Sequence, residues 1–372
     1  MDRIDYHGYL PREQLPELLL LLVQAEYQLL AAQEESGAML YKPLAAGQPL
    51  PTAIGDEQGP GHYRLVERFD RRNFAWANGP QALKPMLFAP QEPLWRYQRD
   101  NTGELQFTSS EPQLEPTAVI GVRACDLAAM KIHDQHFLEQ ESPDLHYQRR
   151  RESLFIIAVD CSHPSASCFC VSTGDGPEVE HSYDLALTEL EEGFLLRGGS
   201  VAGHALLSQL ALEKVTDDQR YLAHQQHESA VARQQRALPK LDLQRRLFAN
   251  LHHQHWQAVA ERCLSCGNCT SVCPTCFCHR EFDQGALDGS SGEHLREWES
   301  CFSEGHSYIH GLHVRSEPKF RYRQWLTHKL GSWHEQYGRS GCVGCGRCIS
   351  WCPVGIDLTE EVEIICGEGS HD

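Results

Sequence analysis

The stretch CLSCGNCTSVCPTCFCH, Cys263 to His279, decides the fold of the C-terminal part of the chain. Its first four cysteines follow the pattern Cys-x2-Cys-x2-Cys-x3-Cys-Pro, and CVGCGRCISWCP (342–353) repeats this pattern. The spacing is the bacterial ferredoxin signature, in which the fourth cysteine of each run binds the cluster of the other run. We therefore predict two 4Fe-4S clusters. The expected ligands are Cys263, Cys266, Cys269 and Cys352 for one cluster, and Cys342, Cys345, Cys348 and Cys273 for the other.

A zinc-stabilised binding module is the alternative from another class of protein, because four-cysteine zinc sites also use two-residue spacings. Zinc needs only four ligands, and it does not account for the same run ending in proline twice. Cys269-x3-Cys273-x2-Cys276 also fits the triplet of radical-SAM enzymes. That triplet overlaps a complete ferredoxin run and is absent from the second run. Both comparisons favour the iron–sulfur interpretation.

Composition narrows the class of protein further. The chain has 372 residues, 16 cysteines and a formal net charge of −18. This charge argues against nucleic acid or an anionic membrane as a partner. The N-terminus has no signal-peptide shape, and the apolar run from Leu18 to Val23 is too short to span a bilayer. We therefore expect a cytoplasmic protein, in which clustered cysteines bind metal rather than form disulfides.

The N-terminal part reads as an α/β domain. TAVIGV (117–122) and LFIIAV (154–159) have the composition of buried strands, and a helix between them is expected to begin at Asp126 as its N-cap. A long helix is also expected near residues 11–32. We place an α/β domain at 1–239 and a mainly α-helical, two-cluster ferredoxin-like domain at 240–372, with an insertion at 279–341. A helix over 244–263 is expected to precede the first cysteine run.

Four further cysteines follow the two predicted strands. Cys125 comes after the first strand, and Cys161, Cys168 and Cys170 come after the second. If the strands are parallel neighbours, both loops lie at the carboxyl edge of the sheet, where ligands usually bind. We predict a third iron–sulfur site there. Zinc and buried, inert thiols are the alternatives that the sequence leaves open.

Cys276, Cys278 and Cys301 are metal-ligand candidates of unassigned role. Cys276-Phe277-Cys278 has the same form as Cys168-Phe169-Cys170. The three thiols could bind another cluster, substitute for a fourth ligand, or pack as apolar side chains. Cys366 is expected to be incidental. The basic stretch KFRYRQWLTHK (319–329) is expected to stabilise anionic clusters rather than to bind nucleic acid.

Several blocks together resemble a known family. GVRACD, DCSHPSASCFCVSTGDGP, the two ferredoxin runs and WESCF occur in the order found in beta (iron–sulfur) subunits of cytoplasmic, bidirectional nickel–iron hydrogenases of the sulfhydrogenase type. The corresponding iron–sulfur subunit of anaerobic sulfite reductase is a close relative. The resemblance covers nearly the whole chain and implies a non-catalytic electron-transfer subunit of an oxidoreductase complex, with no catalytic residue of its own.

The resemblance also implies partners. Electrons would pass between the small and large nickel–iron hydrogenase subunits and a flavin-binding, NAD(P)H-reacting diaphorase subunit. In the sulfite reductase alternative, the catalytic partner is a sirohaem subunit. The expected cofactors are two 4Fe-4S clusters and a third iron–sulfur cluster.

Overall fold

The structure, a computed structural model, describes residues 4–367. Its strands are β1 (Gly8–Pro11), β2 (Gln28–Glu35), β3 (Ala38–Pro43), β4 (Ile54–Gly59), β5 (His62–Glu67), β6 (Gln91–Arg99), β7 (Leu105–Ser109), β8 (Thr117–Val122), β9 (Leu154–Val159), β10 (Leu185–Glu189), β11 (Gly193–Gly198), β12 (His279–Gly285), β13 (Ser291–Trp298), β14 (Tyr308–Ile309) and β15 (Leu312–His313).

Its α-helices are α1 (Leu15–Gln24), α2 (Lys84–Leu87), α3 (Ala124–Leu138), α4 (Leu145–Glu152), α5 (Cys170–Thr173), α6 (Val201–Leu207), α7 (Asp217–Ala232), α8 (Leu243–Ala249), α9 (His255–Arg262), α10 (Asn268–Ser271), α11 (Pro318–Thr327), α12 (Trp333–Tyr337), α13 (Arg347–Ser350) and α14 (Leu358–Cys366). Two 3-10 turns (Arg12–Gln14 and Gly305–Ser307) and a π-helical turn (His328–Ser332) complete the helical elements of the described part.

A seven-stranded sheet in the order β1-β11-β10-β9-β8-β2-β3 forms the centre of the N-terminal part. The strands β2, β8, β9 and β10 are parallel, and β8 lies beside β9 as predicted. Alternate residues of β8 face opposite layers. Ala118 and Ile120 share a core with α1, whereas Val119 shares another with α3. Val122 faces the same core as Val119, because the strand register shifts between Ile120 and Val122. Helices on both faces explain why these strands are apolar throughout.

Two local expectations for the N-terminal part are wrong. The first helix ends at Gln24 rather than near residue 32, because Glu26 takes a positive φ of 64° and β2 then pairs with β8. Sheet pairing thus overrides the helical pattern. The N-cap of α3 is Arg123, not Asp126. Asp126 lies in the first turn instead, where its carboxylate accepts hydrogen bonds from Arg347.

A second sheet, β12-β13-β6-β7, combines strands from both sides of residue 239. On β6, the Glu92 carboxylate accepts hydrogen bonds from Arg296 of β13 at 2.7 Å and from Arg150 of α4 at 2.6 Å. Burial opposes ionisation of Glu92, but hydrogen bonds from His146, Arg296 and Arg150 lower its pKa to about 2. A shared sheet and a buried ion-pair network therefore join the two proposed domains.

The C-terminal part contains strands β12–β15 as well as short helices, so the expectation of a mainly α-helical domain is not confirmed. The helix expected over 244–263 is two helices, α8 and α9, which are separated where Asn250 ends α8 and its carbonyl accepts a hydrogen bond from Trp256. Aromatic and aliphatic side chains of α9, α11 and α14 form the core on which the cysteine runs pack. No helix within residues 4–367 is long and apolar enough to cross a membrane.

Candidate iron–sulfur sites

The two ferredoxin runs have the same local structure. In each run a glycine with φ of 73°, Gly267 or Gly346, precedes a one-turn helix that carries the third cysteine. Glycine adopts this left-handed conformation without steric cost. A Cβ at position 346 would also lie 2.4 Å from the Ser167 carbonyl oxygen. The glycines therefore permit both the turn and its close approach to the rest of the chain.

The first site brings Cys352 to the first three cysteines of the first run. Burial raises the pKa of Cys263, and the neighbouring thiols of Cys352 and Cys266 add to the increase. The Ser265 amide donates a hydrogen bond to Cys263 Sγ at 3.4 Å, and the Ile356 amide donates to Cys352 Sγ at 3.3 Å. This is the crosswise grouping that the spacing predicts.

The second site brings Cys273 to the cysteines of the second run. Burial raises the pKa of Cys342 to about 12, and the thiols of Cys345 and Cys273 raise it further. The pKa of Cys348 is also raised, first by burial and then by the thiols of Cys342, Cys345 and Cys273. The Gly344 amide donates a hydrogen bond to Cys342 Sγ at 3.5 Å. Each run thus contributes three thiols to one site and one thiol to the other.

The first site fits a group that accepts hydrogen bonds. Tyr322 and Trp325 line the same cavity as the thiols of this site. In the described part of the chain, neither the Tyr322 hydroxyl nor the Trp325 Nε1 has a hydrogen-bond partner, although both atoms are buried. Buried donors are rarely left without an acceptor. The sulfur atoms of an iron–sulfur cluster are acceptors of this kind.

The third candidate site lies at the carboxyl edge of β8 and β9, where Cys161, Cys168 and Cys170 are neighbours and Cys125 lies near both Cys170 and the second-site thiol Cys345. Burial raises the pKa of Cys170 to about 12, with a further increase from Cys161, and burial likewise dominates the raised pKa of Cys168. Asn78 lies between two of the thiols: its Nδ2 donates to Cys168 Sγ at 3.9 Å, and Cys125 Sγ donates to its Oδ1 at 4.0 Å. Sequence reasoning missed Asn78, because an asparagine in a loop carries no distinguishing signal.

A buried cation, Arg123, lies beside the third site. Arg123 is 2% exposed, and its Nη2 donates to the carbonyls of Phe74 and Trp76. Its Nε and Nη1 have no partner within residues 4–367. Burial raises the pKa of Cys161, and the Arg123 guanidinium opposes that increase. An unpaired buried charge is costly, so Arg123 favours an anionic ligand over four inert, neutral thiols.

The three sites form a continuous series. The third and second sites adjoin, because Cys168 Sγ lies 3.8 Å from the Cys345 carbonyl oxygen and the Phe169 amide donates to the Gly344 carbonyl at 2.8 Å. The second and first sites also adjoin, since Cys348 lines the cavity of the first site. The first site reaches the surface at Cys266, whose side chain is exposed.

The donor sets differ from a site for a single metal ion. Within the described residues, no group of three or more His, Cys, Asp or Glu side chains converges closely enough to hold one ion. Cys366 lies apart from all the sites, fully buried in the core beside α8 and α9.

Comparison with known proteins identifies the family. A 4Fe-4S dicluster domain model matches residues 262–356, and a second 4Fe-4S dicluster domain model matches residues 218–277. The chain is 30% identical over 316 residues to sulfhydrogenase 2 subunit beta of Pyrococcus furiosus, covering 82% of this chain and 90% of the relative. The chain belongs to the sulfhydrogenase beta-subunit family. No solved structure matches it significantly.

As a sulfhydrogenase beta-type protein, the chain is an iron–sulfur, electron-transfer subunit. The family predicted from the ordered cysteine blocks is thereby confirmed. The longer dicluster match includes both ferredoxin runs and also Cys276, Cys278 and Cys301 between them. The eight thiols that the spacing predicts as ligands lie at the first two sites, with Cys276 next to Cys273 and Cys301 next to Cys269.

Proposed function

We propose that the chain relays electrons through three 4Fe-4S clusters between nickel–iron hydrogenase subunits and an NAD(P)H/FAD diaphorase subunit in the cytoplasm. The observation that carries this proposal is the continuous series of third, second and first thiol sites. Adjacent centres suit stepwise transfer, whereas a single isolated cluster would suit a structural role. The similarity to sulfhydrogenase 2 subunit beta supports hydrogenase subunits as the partners.

Both ends of the series reach the surface, which a relay requires. At one end, Cys266 is exposed and is adjacent to Leu264, whose side chain is 63% exposed. At the other end, Cys161 lines an open cavity together with Arg220 and His227. We infer that one partner binds at each end. The second site, between them, is buried and supplies the connection.

The chain's own residues would prepare the sites for an anionic cofactor. Iron–sulfur clusters supply one-electron redox chemistry when bound. The ligand thiols must lose their protons on binding, and burial makes this costly without a counter-charge. Arg123 supplies a positive charge beside the third site, and Arg347 supplies one beside Cys345. Backbone amides of residues 265, 344 and 356 donate to ligand sulfurs and favour their ionised form.

The N-terminal part (1–239) would thus supply the third site and the C-terminal part (240–372) the other two. This division concerns function only, since the second sheet contains strands from both parts.

Anaerobic co-purification tests the choice of partner. A tagged chain, isolated from its host, should retain a flavin protein and a nickel–iron pair, and NAD(P)H should reduce its clusters as followed by EPR. Recovery of a sirohaem protein instead would assign the chain to the sulfite reductase alternative. A purified chain that contains zinc and no acid-labile sulfide would overturn the relay.

A further inference from the structure

Three cysteines outside the proposed relay come together in the structure. Cys276 and Cys278 precede β12, and Cys301 follows β13. The Glu299 amide donates to the Cys278 carbonyl at 2.9 Å and extends the β12–β13 pairing to this end of the hairpin. Burial raises the pKa of Cys301 to about 12, and the thiol of Cys278 raises it further. A hydrogen bond with the Cys273 thiol and burial raise the pKa of Cys276, and the thiol of Cys278 adds a smaller increase.

The Cys-Phe-Cys sequence is used in the same way at two places. In the third site, Phe169 is 1% exposed in a hydrophobic core, while Cys168 and Cys170 both belong to the thiol group. In the second copy, Phe277 stacks on His136 with ring centroids 3.8 Å apart and also packs against Trp333. Its flanking cysteines both lie near Lys84 and Lys329. Phe169 is thus buried in a core, the half-buried Phe277 packs against two others, and in each copy the two thiols share one environment.

Two buried lysines border these thiols, and neither has a carboxylate partner in the described part of the chain. Lys84 is 5% exposed, and its Nζ donates to the carbonyls of Thr270 and Ser271 at 3.1 and 2.9 Å. Lys329 is 4% exposed, and its Nζ donates to Thr275 Oγ1 at 2.7 Å and to the Gly341 carbonyl at 3.3 Å. Neutral acceptors do not balance two buried positive charges.

The second site accounts for only part of this charge. Of the thiols that raise the pKa of Lys329, Cys273, a ligand of that site, has the largest effect, and Cys276 has the second largest. Burial lowers the pKa of Lys84. Among the thiols that oppose this decrease, Cys276 has the largest effect, Cys273 follows, and Cys278 also contributes. Two of the three thiols that stabilise the charged form of Lys84, Cys276 and Cys278, therefore belong to none of the three relay sites.

We propose that Cys276, Cys278 and Cys301 hold a fourth iron–sulfur cluster as thiolates, with Lys84 and Lys329 as its buried counter-cations. This site goes beyond the proposed three-cluster relay. Three thiolates leave one iron of a 4Fe-4S cluster without a cysteine ligand. The site adjoins the second site through Cys273 and Cys276 and the first through Cys269 and Cys301, so it forms a branch of the series rather than an end.

Metal analysis of single variants tests the site directly. Iron and acid-labile sulfide per chain are measured in the anaerobically purified holoprotein and in Cys278→Ala, Cys301→Ala and Cys366→Ala. The first two should each lose one cluster's iron, about four atoms. Cys366→Ala is the matched control, since it removes a buried thiol outside all the sites, and it should lose none. Unchanged iron in Cys278→Ala and Cys301→Ala overturns the fourth site.

A double variant separates this proposal from the relay. Cys168→Ala should lose the third cluster whatever happens at Cys278, and Cys168→Ala/Cys278→Ala should lose two. If Cys168→Ala loses iron and Cys278→Ala keeps all of its iron, the fourth site is wrong and the three-cluster relay stands. If only Cys278→Ala loses iron, the third relay site is wrong and the fourth site stands.

Native alkylation does not depend on the folding of a variant. Iodoacetamide labelling followed by peptide mass spectrometry should show Cys276, Cys278 and Cys301 protected in the holoprotein and modified after iron chelation. Cys366 should stay unmodified in both samples. Equal labelling of the three cysteines before and after chelation would contradict the proposal. As a further readout, Lys84→Met should shift the midpoint potential of one EPR signal to more negative values, and Cys278→Ala should abolish that signal.

Discussion

Asp126 and Arg347 form a bidentate ion pair that is almost completely buried, with Arg347 Nη1 2.6 Å from Asp126 Oδ1 and Nη2 2.9 Å from Oδ2. Asp126 follows the third-site thiol of Cys125, and Arg347 precedes the second-site thiol of Cys348. The pair therefore joins the parallel sheet to the second ferredoxin run and sets the relative position of the two sites.

Removal of one partner of this pair should destabilise the protein strongly. Asp126→Ala leaves the Arg347 guanidinium buried without its counter-charge, which typically costs about 3–5 kcal/mol. Denaturant unfolding of the anaerobic holoprotein should show this loss. Arg64→Ala is the control, because its pair with Glu57 is exposed on both sides and should contribute less than about 1 kcal/mol. Equal effects of the two variants would show that the buried pair has no special structural role.

Substitution of Gly346 separates steric clash from backbone strain. Gly346→Ala should destabilise the second site, since the new Cβ would lie 2.4 Å from the Ser167 carbonyl oxygen. Gly289→Ala is a matched control with a similar φ of 69° and no atom within 4 Å of the new Cβ. It should cost only the left-handed strain, about 1 kcal/mol. Iron content should fall in Gly346→Ala and stay constant in Gly289→Ala; the same iron content in both would contradict the close-packing argument.

The Glu92 network should make stability depend on pH in the acid range. Its hydrogen bonds hold the pKa of Glu92 at about 2, below the ordinary value of 4.5. A depressed pKa contributes stability that is fully present above pH 4.5 and is lost as pH falls towards 2. The contribution is on the order of 3 kcal/mol at neutral pH.

Comparison of wild type with Glu92→Gln at matched pH checks this prediction. The difference in unfolding free energy should be largest at pH 7 and should shrink between pH 5 and pH 3.5. Because both proteins carry the same clusters, acid lability of the clusters affects them equally. A difference that stays constant with pH would show that Glu92 is not ionised in the folded protein.

Removal of the Tyr322 hydroxyl should change the first cluster rather than the fold. The hydroxyl is a buried donor without a protein partner beside the thiols of that site. Hydrogen bonds to cluster sulfurs raise the reduction potential, so Tyr322→Phe should lower it. An EPR redox titration measures the shift. Tyr147→Phe is the control, because the Tyr147 hydroxyl donates to Asp134 and lies at none of the sites. A potential shift of the same size in Tyr147→Phe would show that the Tyr322 hydroxyl has no specific hydrogen bond to the first cluster.

Serine or alanine at Cys168 tests the third site. The variant should lose about one cluster's iron while the EPR signals of the two ferredoxin-type clusters persist. Asn78→Ala should have a milder effect, since Asn78 contacts two of the thiols without being a ligand. This variant should bind the same cluster and lose it gradually in air. Full iron content in the Cys168 variant would show that these four cysteines are inert, buried thiols that bind no cluster.

Much of the site could be predicted because ligand spacing is a local property. The two-residue intervals place three thiols of each run together whatever surrounds them, and the proline after the fourth cysteine marks the redirected chain. The strands β8 and β9 were also predictable, since buried parallel strands are apolar throughout. These features depend on short segments, so one sequence suffices to find them.

Other features depend on neighbours that are distant in sequence. The helical pattern near residue 26 gives way to β2 because β8 offers a pairing partner, and the role of Asp126 changes because Arg347 reaches it from 221 positions away. Arg123, Lys84 and Lys329 look like ordinary basic residues in the sequence; only the tertiary structure buries them beside the thiols.

The sequence by itself therefore determined the family, and it predicts the eight ferredoxin-type ligands and the place of a third site, because these depend on the order and spacing of residues. The tertiary structure decided the contiguity of the sites, the shared sheet across residue 239 and the charges that face the thiols. Electrostatic partners are chosen by distance in space, and folding alone sets that distance.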